Sequence, residues 1–120
     1  MRAEQIITNA INKLGYTDDA GNTPSRLQGI ALSALNSIYS DLYYLQNTEG
    51  YKPIGSANED VLVSEQIAND VMPYGIASMI AQSVGDTNNQ QYFTMLYNQK
   101  RKKATRQIEI TDSLPTVEGE

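Results

Sequence analysis

The chain has 120 residues, 40% of them hydrophobic, with 14 acidic and nine basic side chains and a formal net charge of −5; that length suits one domain burying roughly two thirds of its unfolded surface. Neither cysteine nor histidine occurs, which excludes disulfides, thiolate zinc sites and the one side chain that titrates near neutrality without help. Acid–base chemistry is left to carboxylates, lysines or tyrosines with shifted pKa values, so the expectation is a protein that is not an enzyme and uses no metal or cofactor.

From Ala3 to Leu14, Ile6, Ile7, Ala10, Ile11 and Leu14 recur at three- and four-residue spacing and Gly15 follows, the pattern of a short amphipathic helix with a glycine stop. Tyr16 to Thr23 is rich in Asp, Gly and Asn, and Thr23-Pro24 sets a capping hydroxyl before a proline at the first helical position, where its missing donor is harmless. A long helix is expected from there. Leu27, Ala31, Ala34, Leu35, Ile38, Leu42 and Leu45 line one side of it, while Ile30, Leu32, Tyr39, Tyr43 and Tyr44 widen the apolar surface, as in a helix with neighbours on two sides.

Between Gln46 and Val63 the helical period is lost, with Gly50, Pro53 and Gly55 as punctuation and Val61-Leu62-Val63 as one short β-like run; this predicts an extended central loop over 46–63. Ser64 is placed to cap a further helix carrying Ile67, Val71, Tyr74, Gly75, Ser78 and Ala81. Pro73 either bends a helix begun at Ser64, by removing a bond to the Asn69 carbonyl, or sits in the first turn of one restarted near Asp70. Gly85 reads as a C-terminal cap and Thr87-Asn88-Asn89-Gln90 as a capping box opening the second arm of a helical hairpin. That arm places Tyr92, Phe93, Leu96, Tyr97 and Lys100 along one side and ends in Lys100-Arg101-Lys102-Lys103, positive charge where the helix dipole favours it.

After Ala104 the pattern changes. Ile108 and Ile110 alternate with polar neighbours, Pro115 interrupts, and Glu109, Asp112, Glu118 and Glu120 are acidic. This predicts an extended C-terminal segment over 104–120 beside a helical domain over 1–103: an all-α bundle of about four helices with a hairpin, a long central loop and an extended tail. The alternating isoleucines suit either a frayed terminus or a strand added to another subunit.

Lys100, Arg101, Lys102, Lys103 and Arg106 put five of the nine basic residues within seven positions, leaving four others against all 14 acidic ones. Either a solvated helix end or a docking patch fits that run, and the acidic remainder argues against free-standing nucleic-acid binding. Of the eight tyrosines, Tyr39, Tyr43, Tyr74, Tyr92 and Tyr97 fall at helical spacing and, with Phe93, are expected in the core or at subunit contacts rather than in a base-stacking platform. Asp18-Asp19 and Glu59-Asp60 lack the alternating spacing of a calcium loop. No apolar run approaches membrane-spanning length, and the N-terminal residues do not form a signal-peptide h-region.

The run Asp70-Val71-Met72-Pro73-Tyr74-Gly75-Ile76-Ala77, then Ile80-Ala81, Gly85-Asp86, Tyr92-Phe93 and Leu96-Tyr97 leading into Lys100-Arg101-Lys102-Lys103, resembles the head-tail connector (adaptor) proteins of tailed bacteriophages. The resemblance covers residues 64–103 best, is looser over the first two helices and is absent from the loop and tail. It implies a virion protein made in the host bacterial cytoplasm, forming a ring of commonly twelve copies below the portal. Such a ring extends the DNA channel and offers a platform to a further connector, stopper or tail protein, with double-stranded DNA passing through it without sequence-specific binding. On that resemblance Lys100, Arg101, Lys102, Lys103, Arg106, Ile108 and Ile110 are the expected contacts to portal or a neighbouring subunit. Other head-completion or tail accessory roles, a helical DNA-associated regulator, and an enzyme using tyrosine and carboxylates stay as alternatives.

Overall fold

Five helical segments follow one another: α1 (Ala3–Leu14), α2 (Ser25–Gln46), α3 (Glu65–Asp70), α4 (Met72–Ser83) and α5 (Thr87–Ser113). The computed structural model describes residues 1–16, 25–46 and 50–113, with Ser25, Gln46 and 108–113 described by their backbone only. Thr23-Pro24 and Asp18-Asp19 lie outside the described residues. Because α3 and α4 are one element broken at Val71, the chain is the expected small all-α bundle.

The local signals act as their chemistry dictates. Gln5 reaches back to accept the Arg2 N–H (3.1 Å), and α1 ends at Gly15, whose φ of 74° lets its N–H reach the Ile11 carbonyl at 3.0 Å. At the start of α3 the Ser64 hydroxyl accepts the Ile67 N–H (3.2 Å). Pro73 does not kink a continuous helix: the ladder stops at Asp70 and restarts at Met72, so the proline occupies the first turn of α4. Gly85, with φ 79°, ends α4.

Two expectations need correction. The residue capping α5 is Asp86 rather than Thr87: its Oδ1 accepts the Asn89 N–H at 3.2 Å and its Oδ2 the Asn89 side-chain amide at 2.7 Å. Over residues 104–113 the expected extended segment is instead helical, because α5 runs on to Ser113, and 114–120 lie outside the described residues. Residues 104–113 contain neither glycine nor proline, and a helix already nucleated gains one hydrogen bond for each residue it adds. β-branched Ile108 and Ile110 lower helix propensity by only a few tenths of a kcal/mol each. Their backbone is helical rather than strand-like, and their side chains lie outside the described residues.

α4 is the hub. It packs against α1, α2, α3 and α5 and is apolar nearly all round, with Met72, Ile76, Ala77, Ile80 and Ala81 fully buried. Ile6 and Ile11 of α1 and Leu27, Leu35 and Leu42 of α2 complete the core, each worth about 1.5–3 kcal/mol of transfer free energy when fully buried. Gly75 marks the closest approach: a Cβ there would lie 2.7 Å from Ile38 Cδ1 and 2.8 Å from the Tyr97 ring. That contact brings α2, α4 and α5 together at one point.

Over its described residues, 50–63, the central loop forms no helix or strand yet is fastened to α2 and to the N-terminal residues. Asn36 of α2 acts as a one-residue strand partner, donating to the Ile54 carbonyl (2.9 Å) and accepting the Ile54 N–H (2.7 Å). Further on, the buried Tyr39 hydroxyl accepts the Leu62 N–H (3.1 Å). Val61 donates to the Met1 carbonyl, and Ala3 and Glu4 donate to those of Glu59 and Ala57, all at 2.9 Å, around the antiparallel bridge Arg2–Asp60. Tyr39, Tyr43 and Tyr51 meet edge to face with centroids 5.3–5.8 Å apart. Much of the tyrosine content therefore fastens loop to helix.

Candidate functional site

Helix α5 carries the predicted docking residues, and its two sides have different work. Inward, Phe93 and Tyr97 are buried. The Tyr97 hydroxyl donates to Asp41 Oδ2 at 2.7 Å, and Arg101 grips the same carboxylate with Nε at 2.6 Å and Nη2 at 2.9 Å. This two-pronged geometry matches a planar guanidinium to a carboxylate. Burial alone would raise the Asp41 pKa, but the bonds from Arg101 and Tyr97 outweigh it and hold the group below the ordinary aspartate value. The same arrangement pushes the Tyr97 phenol far up, through burial first and the Asp41 carboxylate second. It raises Arg101 further, mainly through its bond to Asp41.

Arg101 is thus a bracket between α5 and α2 rather than a free docking group. Asp41 escaped the sequence reading because an acidic residue on a long helix is ordinarily a solvated one; the available signal was that it is the only acidic side chain within α2. Lys100 is also engaged: its Nζ lies 4.6 Å from the centroid of the half-buried Tyr74 ring, as does the Nζ of Lys13 from α1. Tyr74 in turn lies beside Phe93, with centroids 6.3 Å apart. At the other end of α5, Asp86 accepts a hydrogen bond from the Tyr16 hydroxyl, beyond α1. The Tyr16 and Asn89 bonds hold Asp86 below its usual pKa.

Outward, Tyr92 (52% exposed) and Met95 (48%) are exposed large hydrophobic residues, and Lys102, Lys103 and Arg106 are exposed with no ion pair among the described residues. Met95 is followed at spacings of seven and eleven by Lys102 and Arg106, and Tyr92 at eleven by Lys103. These steps keep all five on one face of a helix. Of the expected packing residues, Tyr39, Tyr43, Phe93 and Tyr97 are buried and Tyr74 is partly so. Tyr92 is left outside, available for contact.

Elsewhere, an open depression of about 610 Å³ lies between the outer side of α2, at Gly29, Ser33 and Ser37, and the loop at Tyr51 and Pro53. Among its described lining residues Tyr51 is the only ionisable side chain. Among the described residues no group of three or more acidic side chains could hold a metal ion, and no helix is long and apolar enough to cross a membrane. The arrangement chemically suited to recognition is the outer face of α5, two apolar anchors continued by three cations. Comparison with protein-family models, curated proteins and solved structures gives no match.

Proposed function

We propose that this chain is a structural protein of a tailed bacteriophage, a head-tail connector that forms a ring below the portal, continues the DNA channel and presents a platform to the next connector, stopper or tail protein. The observation that carries the reading is the outer face of α5, where Tyr92 and Met95 stand exposed beside Lys102, Lys103 and Arg106. Aromatic residues, methionine and arginine, here Tyr92, Met95 and Arg106, are enriched in contact surfaces, the two lysines add charge at the rim, and a building block needs such a face where an enzyme needs a pocket. The resemblance over residues 64–103 points the same way. The formal charge of −5 suits a conduit past which DNA slides, since every neutralised phosphate adds affinity.

Native mass spectrometry of the chain, alone and mixed with the portal ring of its virus, tests the reading. Monomers or small oligomers alone and a closed ring on portal are expected. A chain that stays monomeric beside intact portal would count decisively against it. The same three cations also support a DNA-associated role, which predicts duplex binding by the isolated chain that weakens steeply with salt. Absence of such binding at low salt removes that alternative.

A further inference from the structure

Opposite charge is gathered at two separate places on this molecule. Lys102, Lys103 and Arg106 lie toward the end of α5, whereas Glu4, Glu59 and Asp60 are exposed where the loop crosses the start of α1, with Arg2 paired to Glu4 there, and Glu65 is exposed at the start of α3. The Ala3–Glu59 and Glu4–Ala57 backbone bonds hold three of these acids together, and Val61, bonded to Met1, ties in the chain leading to Glu65. Between Asp60 and Glu65 in the chain, Leu62 is 66% exposed, the most exposed large hydrophobic residue described, and its backbone is fixed by the Tyr39 hydroxyl. The two patches are complementary in charge: on α5 Tyr92 and Met95 are continued along one face by three cations, whereas Leu62 follows Glu59 and Asp60 in the chain and precedes Glu65.

The patches do not neutralise one another within the chain. The two ion pairs described are Arg2–Glu4 and Arg101–Asp41, and neither joins the patches. We infer that the outer face of α5 docks on the acidic edge around Leu62 of a second copy, a head-to-tail contact. A surface that fits a different surface on its copy cannot close as a two-fold dimer and repeats into a ring or a filament. This rests on the connector reading for its ring and adds which two faces meet. Apolar centres exclude water and opposite charges at the rims set register and speed encounter.

The test reverses charge on each side. Lys102→Glu with Lys103→Glu alters one patch, and Asp60→Lys with Glu65→Lys the other; both pairs avoid Arg101, which grips Asp41, and Glu59, whose carboxylate accepts the Gly55 N–H at 3.0 Å. Self-association is read by sedimentation at low salt and ring occupancy by native mass spectrometry on portal. Each double variant should weaken self-association roughly tenfold or more, since it juxtaposes like charges. An equimolar mixture should recover it in strictly alternating assemblies with even copy number, and the four-fold variant should recover it alone, which also shows that the substituted chain folds. Association that is unmoved by either reversal, or lost and not recovered by mixing, overturns the inference. Separate copies bound to portal without touching would overturn this contact and leave the connector reading standing. Copies that associate through these faces and ignore portal would do the reverse.

Discussion

At the scale of single residues, Gly75 and Asp41 hold the hairpin to α2. Gly75→Ala gains up to about 1 kcal/mol of helix propensity, but its methyl group would enter space held by Ile38 Cδ1 and the Tyr97 ring, and overpacking costs about 1–3 kcal/mol. The ring cannot swing aside without leaving Asp41, so a net loss of about 1–2 kcal/mol is expected in urea titration. Asp41→Ala strands the buried Tyr97 hydroxyl and should cost about 1–3 kcal/mol. Asp41→Asn keeps an acceptor and should cost less, since the ion pair is 35% and 41% exposed and exposed pairs contribute below about 1 kcal/mol. The pH dependence follows from the signs. Asp41 is depressed when folded, so its contribution is present above the ordinary aspartate value and is lost as pH falls through the lower folded value. Tyr97 is raised, so its contribution is complete below the ordinary tyrosine value and is lost as pH rises through the folded one. Unfolding midpoints across pH should therefore plateau between about pH 4 and 10, with the acid limb shallower in Asp41→Asn.

At the scale of elements, α1 was legible almost residue for residue because strong periodicity and a terminal glycine agree, and the α4–α5 hairpin because Gly85 stops one arm. The α5 cap was assigned one residue late: aspartate at 86 and threonine at 87 are both good caps, and pattern alone does not rank neighbours. The helical continuation past Ala104 was missed since two alternating isoleucines resemble a strand, while continuation depends on a helix already formed upstream. The candidate docking face was half legible. The run of cations is in the sequence, but the engagement of Arg101 with Asp41 and of Lys100 with Tyr74 depends on helices far apart in the chain. Asp86 serves both as cap and as acceptor for Tyr16, joining the hairpin turn to the end of α1. Asp86→Ala should lower the melting temperature by a few degrees, Asp86→Asn, which keeps the cap, by less, and Tyr16→Phe also by less. Scanning calorimetry of the three would order them.

At the scale of the whole molecule, the chain measures 58 × 29 × 22 Å and carries, toward the end of α5, three cations with no ion pair among the described residues. Replacing Lys102, Lys103 and Arg106 with glutamate should leave helical circular dichroism nearly unchanged, whereas Arg101→Glu should lower thermal stability by setting two carboxylates face to face at Asp41. A denaturation curve for the triple variant that collapses like that of Arg101→Glu would show that the outer cations hold the fold. Tyr39 and Asn36 carry a further consequence. A segment outside any helix or sheet ordinarily trades its amide protons with solvent within seconds, but those of Ile54 and Leu62 are spoken for by side chains of α2. In heavy water they should be retained nearly as long as protons of α2 itself, so that the stretch between them rises and falls with the domain as one cooperative unit.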